Sequence, residues 1–127
     1  MTPTFLSLGE ILEIHEDQLA RYGGATGILN FAMLESALAQ PQMTFDGKPL
    51  LSDLFEMSAA YLFHLVQNHP FVDGNKRVGA VAAIVFLLTN DQDINLTEGK
   101  LESMTLDVAQ GKLDREAIAA VLRSHAA

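Results

Sequence analysis

Two apolar runs, from Leu54 to Val66 and from Val78 to Leu88, constrain this chain more than any other feature. In the first, Leu54, Phe55, Met57, Ala59, Tyr61, Leu62, Phe63, Leu65 and Val66 fall on most sides of a helix, and a helix of that kind sits buried at the centre of a fold. The pattern predicts this helix from Asp53 to about Asn68, with Ser52 as its cap. The second run predicts a buried helix from Lys76 to about Thr89, whose Gly79, Ala80, Ala82 and Ala83 allow close helix approach. Only the short segment His69–Asn75 joins the two. A loop held by two buried helices is where a rigid scaffold presents functional groups.

The remaining patterns are also helical. Ser7-Leu8-Gly9-Glu10 has capping-box spacing, and Leu8, Ile11, Leu12, His15 and Leu19 follow it as a stripe that stops at Tyr22-Gly23-Gly24. Asn30 is placed to cap a short helix carrying Phe31, Leu34 and Leu38, ended by Pro41. Periodicity lapses between Gln42 and Leu51, where Asp46-Gly47 is a hairpin signal. Two amphipathic helices, Thr97–Gln110 and Asp114–Arg123, each opening on an N-cap residue type, complete the chain. The expectation is an all-α bundle of about six helices, with a small β flap at 43–50, forming a single domain over 1–127.

Hydrophobic residues make up 49% of the chain and charged residues 19%, the balance of an ordinary globular protein. The absence of cysteine removes disulfides, thiol nucleophiles and thiolate metal sites. The N-terminus lacks the basic and apolar regions of a signal peptide, and Val78–Leu88 is too short to span a bilayer, so a cytoplasmic location without membrane association is expected. With 16 acidic and 8 basic residues the net charge is −8, which disfavours direct nucleic-acid binding. It disfavours a free nucleotide too, so any nucleotide site needs a local group of cations. Lys76 and Arg77 form such a pair.

The connecting loop reads His69-Pro70-Phe71-Val72-Asp73-Gly74-Asn75 and runs into Lys76-Arg77. His69 lies before a proline, which biases it out of helical conformation, and an imidazole there can take a proton from a hydroxyl at neutral pH. Read alone, it is first a histidine meeting the negative end of its helix, and three further polar residues in the same loop reverse that reading. Phe71 reads as an apolar pin. Asp73 reads by default as a turn-former or N-cap, and in a phosphate site as the ligand of a divalent cation on phosphate oxygens. Gly74 permits positive φ or a close ligand. Asn75, Lys76 and Arg77 open the next helix, where free amides and the helix dipole favour an anion. Together these residues read as a site that transfers a phosphate-bearing group from a nucleotide.

The same residues resemble the signature of the Fic/Doc superfamily. Its usual motif is H-P-F-x-x-G-N-G-R-x-x-R, whereas its Doc (death-on-curing) branch carries H-x-F-x-D-x-N-K-R, which His69 to Arg77 match at every fixed position. The segment from His15 to Gly24 and Asp53-Leu54-Phe55-Glu56 are similar to the Doc branch as well. Two departures from the general motif stand out: Lys76 replaces the second motif glycine, and Ala80 occupies the place of the second arginine. The resemblance implies that the lysine excludes the nucleotidyl-transfer pose, so that the nucleotide presents its γ-phosphate instead. The implied protein is a toxin that acts as an ATP- and Mg²⁺-dependent protein kinase on a threonine or serine of a translation factor, elongation factor Tu, and arrests translation.

On this likeness His69 is the catalytic base and Asp73 the Mg²⁺ ligand, while Gly74, Asn75, Lys76 and Arg77 hold phosphates. The segment Phe45–Lys48 matches a flap that positions a target peptide. The inhibitory helix of many Fic enzymes needs a Ser or Thr four residues before its Glu, and Ile94 stands there before Glu98-Gly99. A Phd-like antitoxin is therefore the implied partner. Fic-type adenylyl transfer is the rival enzyme reading, and a non-catalytic anion or peptide clamp the rival outside enzymology. The calcium-loop likeness of Asp91 to Glu102 fails at its sixth position, Leu96, where the turn needs glycine. His64 and His69 lack the spacing of a zinc motif.

Overall fold

A computed structural model describes residues 2–127 and contains six α-helices and one two-stranded hairpin. The helices are α1 (Leu8–Tyr22), α2 (Phe31–Ala39), α3 (Leu54–Asn68), α4 (Asn75–Thr89), α5 (Glu98–Ala109) and α6 (Arg115–Ser124). A 3₁₀ turn over Gln40–Gln42 follows α2, and Thr44–Phe45 (β1) pairs antiparallel with Lys48–Pro49 (β2). The all-α expectation and the flap both hold.

Most helix starts follow their sequence signals. Ser7 and Glu10 form a reciprocal capping box, and Asn30, Thr97 and Asp114 accept amide hydrogens at the starts of α2, α5 and α6. The start of α3 differs by one residue. Asp53, not Ser52, is its N-cap, and Ser52 instead donates from its Oγ to Glu56 at 2.8 Å. Both residue types cap well, so their adjacency left the choice to tertiary packing, and Arg123 favours Asp53 by pairing with it at 2.8 Å. In the hairpin, Asp46 and Gly47 both have positive φ (53° and 75°), the mirror-image turn that Asp-Gly favours.

Helix α3 is the hub: it packs along α4 and also against α2, α5 and α6, while α1 packs against α4. The α3–α4 pair divides the core in two. Ile11, Leu34, Tyr61, Leu65, Phe71 and Phe86 fill one half, and Leu62, Ala83, Val108, Ile118 and Leu122 the other. Close approach is real at Gly79, where an added Cβ would lie 3.0 Å from Val66 Cγ2 and 3.2 Å from the Leu62 carbonyl oxygen. The fully buried Tyr61 ties the N-terminal segment down by accepting from the Leu6 amide at 2.9 Å, and burial pushes its phenol up to about 12. No helix among the described residues is long and apolar enough to cross a membrane.

Candidate active site

The loop between α3 and α4 is held from three directions. Its first residue, His69, closes α3 in the left-handed region (φ 48°, ψ 54°), not in the extended conformation that a following proline usually imposes. A positive φ is uncommon outside glycine, and residues held there cluster at functional sites. Beyond it, the loop runs antiparallel to residues 27–30. Leu29 and Asn30 donate to the Pro70 carbonyl at 2.7 and 3.0 Å, and Val72 donates to the Gly27 carbonyl at 3.0 Å. Phe71 is fully buried, as its reading as an apolar pin requires, and the His15 ring of α1 stacks on it with centroids 3.9 Å apart. The same imidazole donates from Nε2 to the Asp73 carbonyl at 2.9 Å.

The third hold is internal. Asn75 is buried, its Oδ1 accepting from the Phe71 amide at 2.9 Å and its Nδ2 donating to the Phe71 carbonyl at 3.0 Å. Its Nδ2 also lies 3.1 Å from His69 Nδ1. Asn75 therefore staples the loop and touches the imidazole.

Asp73 points away from the helix it precedes. Its Oδ2 accepts from the Ala25 amide at 3.1 Å and its Oδ1 from the Gly74 amide at 2.9 Å. Those two amides, with the charges of Arg77 and His15 behind them, hold its carboxyl below the usual aspartate range, so it is ionised at neutral pH. The close fit at Ala25 depends on Gly24, which has φ +125° and where a Cβ would stand 2.8 Å from Asp73 Oδ2. Gly74 then begins α4 in the left-handed region (φ 83°) with no side chain to cap the helix. Among the described residues, the backbone amides of Asn75, Lys76 and Arg77 have no hydrogen-bond partner. Each of the other five α-helices has a side-chain cap.

Arg77 is partly committed to the protein. It donates to the Gln18 and Gly23 carbonyls at 3.3 and 3.0 Å, and its guanidinium lies 5.6 Å from the centre of the Tyr22 ring. The C-terminal end of α1 carries partial negative charge, which accounts for this preference. Lys76, one residue earlier, is exposed and in no ion pair among the described residues.

All six candidate residues, His69, Asp73, Gly74, Asn75, Lys76 and Arg77, line one cleft of about 450 Å³, with Val66 and Ala109 as further walls. A second cleft of about 410 Å³, between Thr2, Pro3, Leu51 and Asn90, matches it in size but not in chemistry, since its one acidic group, Asp53, is already paired with Arg123. No group of three or more acidic or histidine side chains able to hold a metal occurs among the described residues. Asp73 retains one free lone pair on each oxygen. A single carboxylate of this kind suits Mg²⁺, which takes one or two carboxylates and completes its shell from water and substrate phosphates.

Sequence reasoning missed two supports. His15 reads as a member of the α1 stripe and the start of the Doc-like segment with no role for its ring, though a histidine at a buried stripe position is itself a signal that its ring has a polar partner. Residues 25–29 carry no motif, because they act through backbone groups.

The sequence model of the Fic/DOC family matches residues 5–87, which span α1 through most of α4 and include the whole loop. Protein kinase doc of Escherichia phage P1 is 30% identical over 118 residues, covering 93% of this chain and 92% of the relative. Toxin Doc of Mycolicibacterium smegmatis is 34% identical over 108 residues, covering 84% of this chain and 83% of the relative.

Proposed function

The chain belongs to the Fic/DOC family, and on that premise we propose that it is a Doc-type toxin that transfers the γ-phosphate of ATP to a threonine or serine hydroxyl of a translation factor, with elongation factor Tu the first candidate. The observation that carries this reading is the uncapped N-terminus of α4, set among His69, Asp73 and Lys76 in one cleft. Three free amides and a helix dipole attract an anion, and the exposed Lys76 adds a full positive charge beside them. Phosphoryl transfer requires little covalent chemistry from a protein beyond positioning and charge stabilisation.

In this reading the α4 amides and Lys76 bind the terminal phosphates, and Gly74 lets them approach the backbone. His69 takes the proton of the target hydroxyl as its oxygen bonds to the γ-phosphorus and the bond to the β,γ-bridging oxygen breaks, releasing ADP. Asp73 is the residue that would hold Mg²⁺, which when bound neutralises charge on the phosphate oxygens. Arg77, tied to α1, stabilises the wall of the cleft and contributes charge from there. The hairpin at Thr44–Pro49, with Phe45 75% exposed, offers an edge and an apolar side chain to a target peptide. A Phd-like antitoxin restrains the toxin in the cytoplasm, where ATP and the translation machinery are found.

The test is to incubate the protein with Mg²⁺-ATP and elongation factor Tu and weigh the intact target. A phosphoryl-sized increment, lost by a factor of about 10² to 10⁴ in rate in His69→Ala, is the predicted result. An adenylyl-sized increment would mean that Lys76 does not exclude the nucleotidyl pose. No increment on any protein of a lysate, from a protein that still arrests growth, would leave the non-catalytic clamp.

A further inference from the structure

The hydrogen bonds of Asn75 carry information about His69 that the motif does not. The amide of Asn75 has only one orientation open to it. Its Oδ1 faces the Phe71 amide at 2.9 Å and its Nδ2 faces the Phe71 carbonyl at 3.0 Å, so exchanging the two would set donor against donor and acceptor against acceptor. One hydrogen of Nδ2 is then taken by the Phe71 carbonyl, and the other is left for His69 Nδ1, 3.1 Å away. A nitrogen that accepts a hydrogen bond carries a lone pair and no proton. In the neutral ring the proton must therefore reside on Nε2.

We propose that Asn75 is a positioning residue that holds His69 in the Nε2–H tautomer, so that the resting site has no free imidazole lone pair. Nδ1 has the lone pair but gives it to Asn75; Nε2 is a donor. A base that removes a hydroxyl proton needs a free lone pair, so His69 becomes competent only after it leaves Asn75. The left-handed backbone at His69 places the departure at a residue already in a sparsely populated conformation. The proposal rests on the reading of His69 as the base, but the contact it describes exists without nucleotide or target.

The experiment is ¹⁵N NMR on the free full-length protein at a pH where the ring is neutral. The expected result is an unprotonated Nδ1, a protonated Nε2 and a through-hydrogen-bond coupling between Asn75 Nδ2 and His69 Nδ1. A protonated Nδ1, or no coupling, would overturn the proposal. Because the neutral imidazole has its own tautomer preference, two variants separate the role of Asn75 from that of the ring. Asn75→Ala should move the tautomer ratio by about fivefold, the equivalent of one ordinary hydrogen bond. Asn75→Asp, which presents only acceptors, should reverse the ratio in favour of the proton on Nδ1. An unchanged ratio in a folded variant would show that Asn75 does not set the tautomer. Should both variants fail to fold, the coupling in the unaltered protein still decides. Failure here leaves phosphoryl transfer standing, and a failed transfer assay leaves the tautomer standing.

Discussion

Helices α3 and α4 are both 15 residues long, pack along each other and begin within two residues of an aspartate, yet their starts are built in opposite ways. At α3, Asp53 is the N-cap: its Oδ1 accepts from the Glu56 amide at 2.8 Å, and its Oδ2 pairs with Arg123. The carboxylate is consumed by the helix's own amides and by a neighbouring cation. At α4, Asp73 lies one residue before the cap and turns away, held by Ala25 and Gly74, so that the first amides of the helix face the cleft without a partner. One carboxylate serves the fold. The other is kept off its helix, and the positive end of α4 remains available to a ligand.

Of the changes that separate the two helix starts, exchanging charge for polarity at Asp73 should have the largest effect. Asp73→Asn should reduce phosphoryl transfer by about 10² or more, the scale of losing one electrostatic contact to the reacting group, with the melting temperature nearly unchanged because the side chain is exposed. A rate within twofold of the parent would remove Asp73 from the chemistry. Gly24→Ala comes next. It introduces a Cβ 2.8 Å from Asp73 Oδ2 at a φ of +125° and should displace the carboxylate, lowering the rate by about ten- to a hundredfold through misplacement alone. If the rate holds while the Ala25 amide shift moves, the position of Asp73 does not matter.

The mirror-image experiment lies at α3. Asp53→Ala should lower stability by about 1–2 kcal/mol, most of it the lost cap and a few tenths the exposed Arg123 pair, and leave transfer unchanged. Denaturant unfolding and the transfer assay on one preparation read both quantities. A loss of activity with no loss of stability would erase the contrast between the two helix starts.

The smallest effect concerns His64, on α3 but turned towards Arg115 of α6 at 3.3 Å. Burial, aided by the Arg115 charge, pushes its pKa down to about 4. Between about pH 6.5 and 4 the unfolded chain thus binds a proton that the folded one does not, so stability falls as pH is lowered through that window. For a half-buried group the loss is about 1 kcal/mol after solvent screening. His64→Gln should flatten that part of the stability profile, and an unaltered slope would assign it to other groups.

Much of the fold was legible because caps and turns are local. Ser7, Asn30, Thr97, Asp114 and Asp46-Gly47 each act within a few residues, and each lies where its spacing predicts. Ser52 and Asp53 were ambiguous for the same reason, since only Arg123, 70 residues away, separates them. That the candidate residues lie together was legible from their adjacency in sequence, but their hydrogen-bond partners were not. Nothing near Asp73 says that it will turn towards Ala25, because the amide that holds it arrives from 48 residues earlier. Asn75 and Arg77, read as phosphate contacts, are bonded to the Phe71 peptide, His69 and the end of α1, partners that only the packed structure supplies. Of the two cations only Lys76 has its charge clear of the protein, which concentrates the expected phosphate contact on it and on the backbone.

The most direct measurement follows backbone amide shifts by NMR while Mg²⁺-ATP is titrated into the protein. The amides of Asn75, Lys76 and Arg77 should move together and saturate, while those of Phe55 and Glu56 at the capped start of α3 stay in place. Shifts at α3 with none at α4, or no saturable change at either, would contradict the claim that the open helix start is the phosphate site.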